Sequence, residues 1–289
     1  MTVAVMGAAG KTGRAITRAL AARGVAVRAL VRRPEQQAVA LTEGAREVVV
    51  GDLHDPAALA AGLAGAQAVY HLCPNMHPDE VPLGQAVSAA AQAAGVQHFV
   101  YHSVLHPQTE DMPHHWRKLR VEELLFKTGL NVTILQPTAY MQNLLAGWAA
   151  ISGEGVHRSP YAPTSRISLV DLRDVAEAAA RVLTEPGHAG ATYELVGTPG
   201  LSQTQVAETL GEALGRPVRT ETVDRAAWSA TAEKNGLSAE ARATLLQMFE
   251  YYERYGLCGS PRALTGLLGR APTSLAAFAR DAAAANGKL

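Results

Sequence analysis

Apolar and polar positions are arranged in long alternating blocks along the first two thirds of the chain. Short β-branched runs, such as TVAVMG at 2–7 and EVVVG at 47–51, alternate with alanine-rich stretches of helical spacing. Runs that are apolar throughout, rather than at every second position, are typical of parallel strands covered on both faces. The pattern therefore predicts a strand–helix repeat that builds a parallel sheet between two layers of helices.

The repeat loosens after ILQPTAYMQNLL at 134–145 and gives way to a mostly helical pattern from about Leu201. We predict an α/β fold, with a Rossmann-type, doubly wound parallel sheet over 1–150 to which 166–198 return. The remaining segments, 151–165 and 199–289, are predicted to form a smaller, mostly helical C-terminal substrate domain that caps the first. The default ligand site in such an arrangement is the cleft between the two domains.

Composition and charge narrow the functional classes. The chain has 289 residues, of which 48% are hydrophobic, and a formal net charge of zero. Such a chain can bury a large core, and it lacks the basic field that binds nucleic acid or an anionic membrane. Its two cysteines, Cys73 and Cys258, show no metal-ligand or disulfide spacing, so we expect no metal site and a reducing, cytoplasmic setting. The sequence shows neither a targeting signal nor a membrane span.

The segment VMGAAGKTGRAI at 5–16 carries the strongest motif. Gly7, Gly10 and Gly13 stand where the first predicted strand meets the first helix, with Lys11 and Thr12 between them. In such a turn the glycines allow a tight bend, close approach of a pyrophosphate and close helix–strand packing, while N–H groups at the helix start hold the anion. The context favours a dinucleotide site over a glycine-rich turn without a ligand.

The second strand ends in LVRRPEQ, where an NAD-binding protein would carry an acidic residue for the ribose hydroxyl. Arg32 and Arg33 stand there instead, and a guanidinium pairs well with a 2′-phosphate. We therefore expect NADP, with NAD as the alternative, and favour Arg32 for the contact over Arg33, which can equally be solvated. Lys11 and Arg14 are expected to add positive charge nearby.

The ends of the third and fourth strands supply further candidate cofactor contacts. Asp52 can accept a hydrogen bond from the adenine amino group, and Leu53 can pack on the ring. Asp55, which precedes Pro56, is predicted to cap the next helix. Leu72 and Pro74 are predicted to line the cofactor path.

These segments resemble the NmrA-like group of atypical short-chain dehydrogenase/reductases. VMGAAGKTGRAI, VRALVRRP, VVVGDLHDP and ILQPTAYMQNLL occur in the order and spacing of that group, and the likeness covers about the first 200 residues. The resemblance implies a Rossmann domain that binds NAD(P), a small C-terminal substrate domain and a ligand cleft. It also implies one of two functions, because the group contains NAD(P)H-dependent reductases of quinones, dyes and phenolic compounds as well as dinucleotide-binding regulators.

The resemblance also directs attention to a serine and a tyrosine–lysine pair. In the wider superfamily the tyrosine donates a proton, the lysine binds the nicotinamide ribose, and the serine steadies the carbonyl. Here YHSVLHP offers Ser103 and HHWRKLRVEELL offers Lys118, but His114 stands in the place of the tyrosine. His114 can act as the proton donor or be an unconnected residue at a helix start. Pro137 and Tyr140 are expected near the nicotinamide and the substrate, with Tyr140 a substitute proton donor or an aromatic packed on the cofactor.

The favoured interpretation is a reductase that moves hydride from NADPH to a quinone, an enone or an aromatic carbonyl. The alternative is a redox-sensing NADP(H)-binding regulator without turnover, which the loss of the tyrosine favours and the retained Lys118 and Ser103 oppose. A non-redox lyase or isomerase on the same fold stays open as well. The expected partner is a small aromatic or quinone-like molecule, and a homodimer is left open.

Overall fold

The computed structural model describes residues 1–286, which divide into two compact units. The first unit consists of Met1–Gln108, His114–Gln136 and Val175–Tyr193. The second consists of Thr109–Pro113, Pro137–Asp174 and the described residues from Glu194 onward.

Strands and helices are numbered in chain order. The strands are β1 (Thr2–Met6), β2 (Ala26–Val31), β3 (Glu47–Val50), β4 (Ala68–His71), β5 (His98–His102), β6 (Val132–Pro137), β7 (Ala139–Tyr140), β8 (Val156–Ser159), β9 (Arg166–Ile167), β10 (Leu169–Val170), β11 (Thr192–Leu195), β12 (Leu201–Ser202) and β13 (Arg219–Thr222). The helices are α1 (Lys11–Ala22), α2 (Gln37–Thr42), α3 (Pro56–Leu63), α4 (Glu80–Ala93), α5 (Pro113–Phe126), α6 (Leu172–Thr184), α7 (Gln203–Leu214), α8 (Arg225–Lys234), α9 (Ala239–Tyr255), α10 (Arg262–Leu268) and α11 (Leu275–Asn286).

The main sheet has the strand order β11-β6-β5-β4-β1-β2-β3. Strands β1 to β6 pair in parallel, with Val3 opposite Val27 on one side and Ala68 on the other. Their carboxyl ends therefore meet at one edge, and the direction of strand addition reverses between β1 and β4. In sheets of this kind ligands bind outside the carboxyl ends at that reversal. The predicted Rossmann-type, doubly wound sheet is confirmed.

Burial explains why these strands are apolar throughout. All four residues of β4 are buried, and Val69, Phe99 and Ile134 of neighbouring strands share one core cluster with Val121 and Leu125 of α5. Helices thus cover the inner strands of the sheet and remove them from water, as parallel sheets require. The edge strand β3 is the exception to the prediction, since none of its four residues is buried.

The second unit combines helices with three short two-stranded sheets among its described residues. β7 pairs with β10 and β8 with β13 in parallel, whereas β9 pairs with β12 in the antiparallel sense. Helix α7 starts with a capping box, in which Ser202 Oγ accepts from Gln205 N at 3.1 Å and the Gln205 side chain accepts from Ser202 N. Between residues 1 and 286, no helix has both the length and the apolar character needed to cross a bilayer.

Candidate functional site

The glycine segment forms a tight turn between β1 and α1. Gly7 has a φ of +63°, which favours glycine, and its carbonyl accepts a hydrogen bond from Gly10 N at 3.0 Å. A Cβ atom on Gly13 would lie 2.3 Å from the Gly7 oxygen, so only glycine allows α1 to start this close to the strand. The turn fits the dinucleotide role predicted for it, because it brings bare backbone and a helix start to the carboxyl edge of the sheet.

The start of α1 suits an anion. The residue before the helix, Gly10, provides no side-chain cap, and the first turn of the helix contains no acidic residue. Its exposed N-terminal residue is the basic Lys11. Arg14 is committed elsewhere, since its Nε donates to Glu43 at 2.8 Å and Arg18 donates to the same carboxylate. Because two guanidinium groups share the single carboxylate of Glu43, the three side chains together keep one positive charge near the start of α1.

The two arginines after β2 differ in their surroundings. Arg33 forms an ion pair with Glu35 at 2.7 Å. The guanidinium of Arg32 is exposed and makes no hydrogen bond or ion pair within residues 1–286. Hydrogen bonds from His54 lower the pKa of Asp52, which follows β3. The positive charge of Arg32 lowers the same pKa to a smaller extent. Of the two, Arg32 is the guanidinium available to an added phosphate.

Asp52 is held by a histidine that sequence reasoning missed. Its Oδ1 accepts from His54 N at 2.9 Å and lies 2.7 Å from His54 Nδ1, while His54 Nε2 lies 3.2 Å from Asp79. The imidazole therefore links the loops that follow β3 and β4. Spacing along the chain gave no sign of this link, because Asp79 comes from a separate loop.

The remaining predicted cofactor contacts at the carboxyl edge of the sheet differ in their exposure and in their neighbours. Leu72 follows β4, and its carbonyl oxygen would lie 3.3 Å from a Cβ on Gly7, so the end of β4 adjoins the glycine turn. Pro74 is exposed, whereas Leu53 packs against the core of the first unit. Asp55 caps α3 as predicted, with its side chain accepting from Ala57 N at 2.9 Å.

Three ionisable side chains are buried at four-residue intervals along α5. His114, Lys118 and Glu122 have exposed fractions of 7%, 5% and 5%. Four residues make about one helical turn, so the three lie on one face of the helix. The shared face predicted for His114 and Lys118 thus continues to Glu122, which sequence reasoning missed although its spacing from Lys118 is the same.

Lys118 is paired with a carboxylate. Its Nζ donates to Glu80 Oε1 at 3.0 Å and to the carbonyl oxygen of His102 at 3.1 Å. Tyr101 donates its hydroxyl proton to the same Glu80 oxygen at 2.8 Å. Glu80 is the first residue of α4, and the motif that identified Lys118 gave no sign of it. This pairing lets a charged lysine remain at the buried end of β5.

Burial keeps the two adjacent histidines of α5 neutral. Burial and the charge of Lys118 hold the pKa of His114 well below its usual value. Burial likewise lowers the pKa of His115 to about 4, and its Nδ1 donates to the His106 carbonyl at 3.0 Å. An imidazole that is neutral near pH 7 has no imidazolium proton to give, so this environment disfavours the predicted acid role of His114.

Ser103, the residue after β5, is buried against α5 and β6. Its hydroxyl donates to Glu122 Oε1, and Gln136 Nε2 donates to the two oxygens of the same carboxylate at 3.0 and 3.1 Å. Burial raises the pKa of Glu122. The serine is therefore part of a buried polar group with a titratable member.

Pro137 and Tyr140 belong to the second unit. Pro137 is the last residue of β6, and Tyr140 lies in β7, opposite Val170 of β10. Both side chains stay predicted contacts of the nicotinamide and the substrate.

The fold and the glycine turn define a Rossmann-type dinucleotide-binding protein. The sequence profile of the NmrA-like family matches residues 1–275, and the chain belongs to this family. NAD(P)H azoreductase of Xenophilus azovorans is 31% identical over 288 residues, which span 99% of each chain. Quinone oxidoreductase 2 of Escherichia coli strain K12 is 30% identical over 276 residues, 95% of this chain and 96% of that one. A crystal structure of an NADPH-dependent quinone oxidoreductase from Escherichia coli, complexed with NADPH, is 28% identical, covers 98% of this chain and 99% of its own, and superimposes with a TM-score of 0.83.

Proposed function

We propose that the protein is an NADPH-dependent reductase of a small quinone, enone or aromatic carbonyl compound. The observation that carries this proposal is the similarity, along nearly the whole chain, to an NAD(P)H azoreductase and a quinone oxidoreductase. The glycine turn, the uncapped start of α1 and the exposed Arg32 support the choice of cofactor.

The chain's own residues divide the binding of NADPH between them. The pyrophosphate is assigned to the turn and the start of α1, the 2′-phosphate to Arg32, and the adenine to the loop that follows β3. The nicotinamide half is assigned to the loop that follows β4, to Lys118 of α5 and to Pro137 at the end of β6. These contacts are, in chain order, Gly7, Gly10, Lys11, Thr12, Gly13, Arg32, Asp52, Leu53, Leu72, Pro74, Lys118 and Pro137. When bound, NADPH supplies the hydride.

Lys118 is proposed to hold the ribose hydroxyls of the nicotinamide half. An ammonium has three donors, and Glu80 and the His102 carbonyl accept from two of them. One N–H is then available to the cofactor, in a direction set by the other two. Glu80 thus serves as a positioning residue for Lys118.

The neutral state of His114 bears on the acceptor class. A quinone or an extended enone delocalises the electrons it receives, so it needs less help from an acid than an isolated carbonyl does. The neutral imidazole of His114 suits acceptors of this kind.

The second candidate function is an NADP(H)-binding regulator without turnover. The observation that favours it is the histidine in place of the tyrosine, buried and neutral at position 114. The retained Lys118 and Ser103 oppose it, because the family resemblance assigns them to the ribose and to the acceptor carbonyl of reductases.

We also propose that the protein works in the cytoplasm. Cys73 and Cys258 are both free thiols, as a reducing compartment maintains them. A homodimer is proposed as its assembly, and light scattering after size exclusion measures this directly.

The deciding experiment measures NADPH oxidation under anaerobic conditions with a panel of quinones, enones, azo dyes and aromatic ketones, together with the NADPH dissociation constant. A reductase oxidises NADPH only when an acceptor is present and forms one equivalent of reduced product. Tight binding of NADPH with no oxidation on any acceptor would establish the regulator instead.

A further inference from the structure

Ser103, Glu122 and Gln136 form a closed hydrogen-bonded group inside the first unit. Their exposed fractions are 2%, 5% and 8%. Ser103 Oγ donates to Glu122 Oε1, and Gln136 Nε2 donates to both carboxylate oxygens. Among residues 1–286 the carboxylate therefore has two hydrogen-bond partners. Gln136 directs its amide nitrogen at the carboxylate, so in this arrangement Ser103 is the partner whose oxygen can accept a proton from it.

Within the described residues, the cation that acts on the Glu122 carboxylate is Lys118, one turn earlier on α5. The Nζ of Lys118 is already paired with Glu80. The titratable group of β5 that acts on Glu122 is the phenol of Tyr101. The phenol donates a hydrogen bond to Glu80, and burial keeps it neutral. Gln136 of β6 is neutral. Burial in these surroundings favours the protonated acid, and it raises the pKa of Glu122.

The protonation state of Glu122 decides the direction of its bond to Ser103. When Glu122 is ionised, it can only accept, and the Ser103 hydrogen is directed at it. When Glu122 is protonated, its O–H can donate to Ser103 Oγ, which frees the serine hydrogen for another acceptor. A serine bonded to an ionised carboxylate cannot steady a substrate oxygen, whereas a serine bonded to a carboxylic acid can.

We propose that Glu122 stores the proton consumed in the reduction and delivers it through the Ser103 hydroxyl to the oxygen of the acceptor. The proposal rests on the proposed reductase function, and it assigns the role of the missing tyrosine to a pair that lies beside Lys118. Glu122 acts through Ser103 and does not itself contact the acceptor.

The proton transfer balances as follows. The acceptor receives a hydride, with its two electrons, from bound NADPH, which leaves as NADP⁺. As the acceptor oxygen forms its O–H bond, the Ser103 O–H bond breaks. At the same time the Glu122 O–H bond breaks and a new Ser103 O–H bond forms. The Glu122 carboxylate then takes a proton from water, so that each turnover consumes one proton from solution.

An infrared titration of the purified protein tests, without turnover, whether Glu122 is protonated. We expect a carbonyl band of a protonated carboxylic acid to persist above the pH at which exposed glutamates ionise and to shift in D₂O. Glu122→Gln should remove the band. The matched control is Glu123→Gln, at the exposed neighbouring position on α5, which should keep it. If wild-type protein lacks the band at the pH of catalysis, Glu122 is ionised there and the proposal is overturned.

The turnover rate of the Glu122→Gln variant tests whether Glu122 delivers the proton to the acceptor. The amide keeps the size of the side chain and can still donate to Ser103, so a purely structural role survives the change, but the exchangeable acid is lost. We expect unchanged NADPH affinity, a kcat about 100-fold lower with an aromatic ketone, a much smaller loss with a quinone, and a flattened pH profile for the ketone. Glu122→Asp should restore part of the ketone rate and its pH dependence.

The two proposals fail in different ways. Wild-type protein that reduces no acceptor overturns the reductase function and, with it, the proton path. Wild-type activity combined with a Glu122→Gln variant of normal ketone rate and normal pH profile overturns the proton path alone.

Discussion

The ammonium of Lys118 lies 3.0 Å from Oε1 of Glu80, and both side chains are buried beneath the carboxyl edge of the sheet. A buried pair of this kind contributes little net stability, because desolvation offsets most of the attraction. Its main consequence is that neither member tolerates the loss of the other.

Removal of Lys118 should therefore destabilise the protein through Glu80. We expect Lys118→Met to lower the free energy of unfolding by about 3–5 kcal/mol, because it leaves a buried carboxylate unpaired. The double variant Lys118→Met/Glu80→Gln should recover most of that loss in urea denaturation. Lys127→Met, which breaks an exposed pair with Glu123 on the same helix, should cost less than about 1 kcal/mol. A Lys118→Met variant as stable as Lys127→Met would contradict the buried pair.

Arg32 should set the preference for NADPH over NADH. Removal of a charge-assisted contact with the 2′-phosphate costs about 1.5–3 kcal/mol, so Arg32→Ala should weaken NADPH binding by about 10- to 150-fold. The affinity for NADH, which lacks that phosphate, should stay the same in a fluorescence titration. Arg33→Ala serves as the control, because Arg33 is paired with Glu35. Equal losses for the two cofactors in Arg32→Ala would remove the argument for NADP.

Gly13 should be required for the approach of α1 to the turn. Its missing Cβ would lie 2.3 Å from the Gly7 oxygen, so Gly13→Ala should shift the helix, cost about 1–3 kcal/mol and abolish tight NADPH binding. The matched control is Gly266→Ala, inside α10, because a Cβ at this position would have no neighbouring atom within 4 Å beyond the backbone of its own helix. This substitution should be neutral or stabilising. Unchanged NADPH affinity in Gly13→Ala would contradict the assigned pyrophosphate site.

Acid should destabilise the protein through its buried histidines. Burial lowers the pKa of His71 to about 4, and the ring lies against Phe99 and Tyr101 with no hydrogen-bond partner for either nitrogen within residues 1–286. The unfolded chain binds this proton below about pH 6.5 and the folded chain only below about pH 4. The contribution of His71 to stability is thus full above pH 6.5 and falls as the pH approaches 4.

His71→Leu should remove that part of the acid sensitivity. Because no hydrogen bond is lost, we expect the variant to be near wild-type stability at pH 7 and more stable than wild type at pH 5, as measured by urea denaturation at both values. A wild-type-like slope of stability against pH in His71→Leu would show that the imidazole is hydrated or paired in solution.

The sheet, the glycine turn and the Asp55 cap could be predicted because each depends on residues that are close in sequence. The apolar runs of the inner strands required burial on two faces, and GxxGxxG between a strand and a helix left few other conformations for Gly7. The family resemblance, which the NmrA-like profile confirms, located Ser103 and Lys118.

The partners of these residues could not be predicted in the same way. Glu80 reaches Lys118 from the start of another helix, 38 positions away, and the link between His54 and Asp79 spans two loops. Such contacts follow from the stacking of strands in the sheet and leave no local pattern. Glu122 is different, because its spacing from Lys118 was visible in the sequence, but a glutamate on a helix is usually solvated.

The most direct test of the proposed hydride transfer is a single-turnover experiment with NADPH deuterated on one or the other face of C4. With an acceptor that supports NADPH oxidation, we expect slower oxidation for one of the two labelled cofactors and the unlabelled rate for the other, since the protein must present one face of the cofactor to the acceptor. The absence of acceptor-dependent oxidation, or identical rates for both labelled cofactors, would contradict hydride transfer at this site.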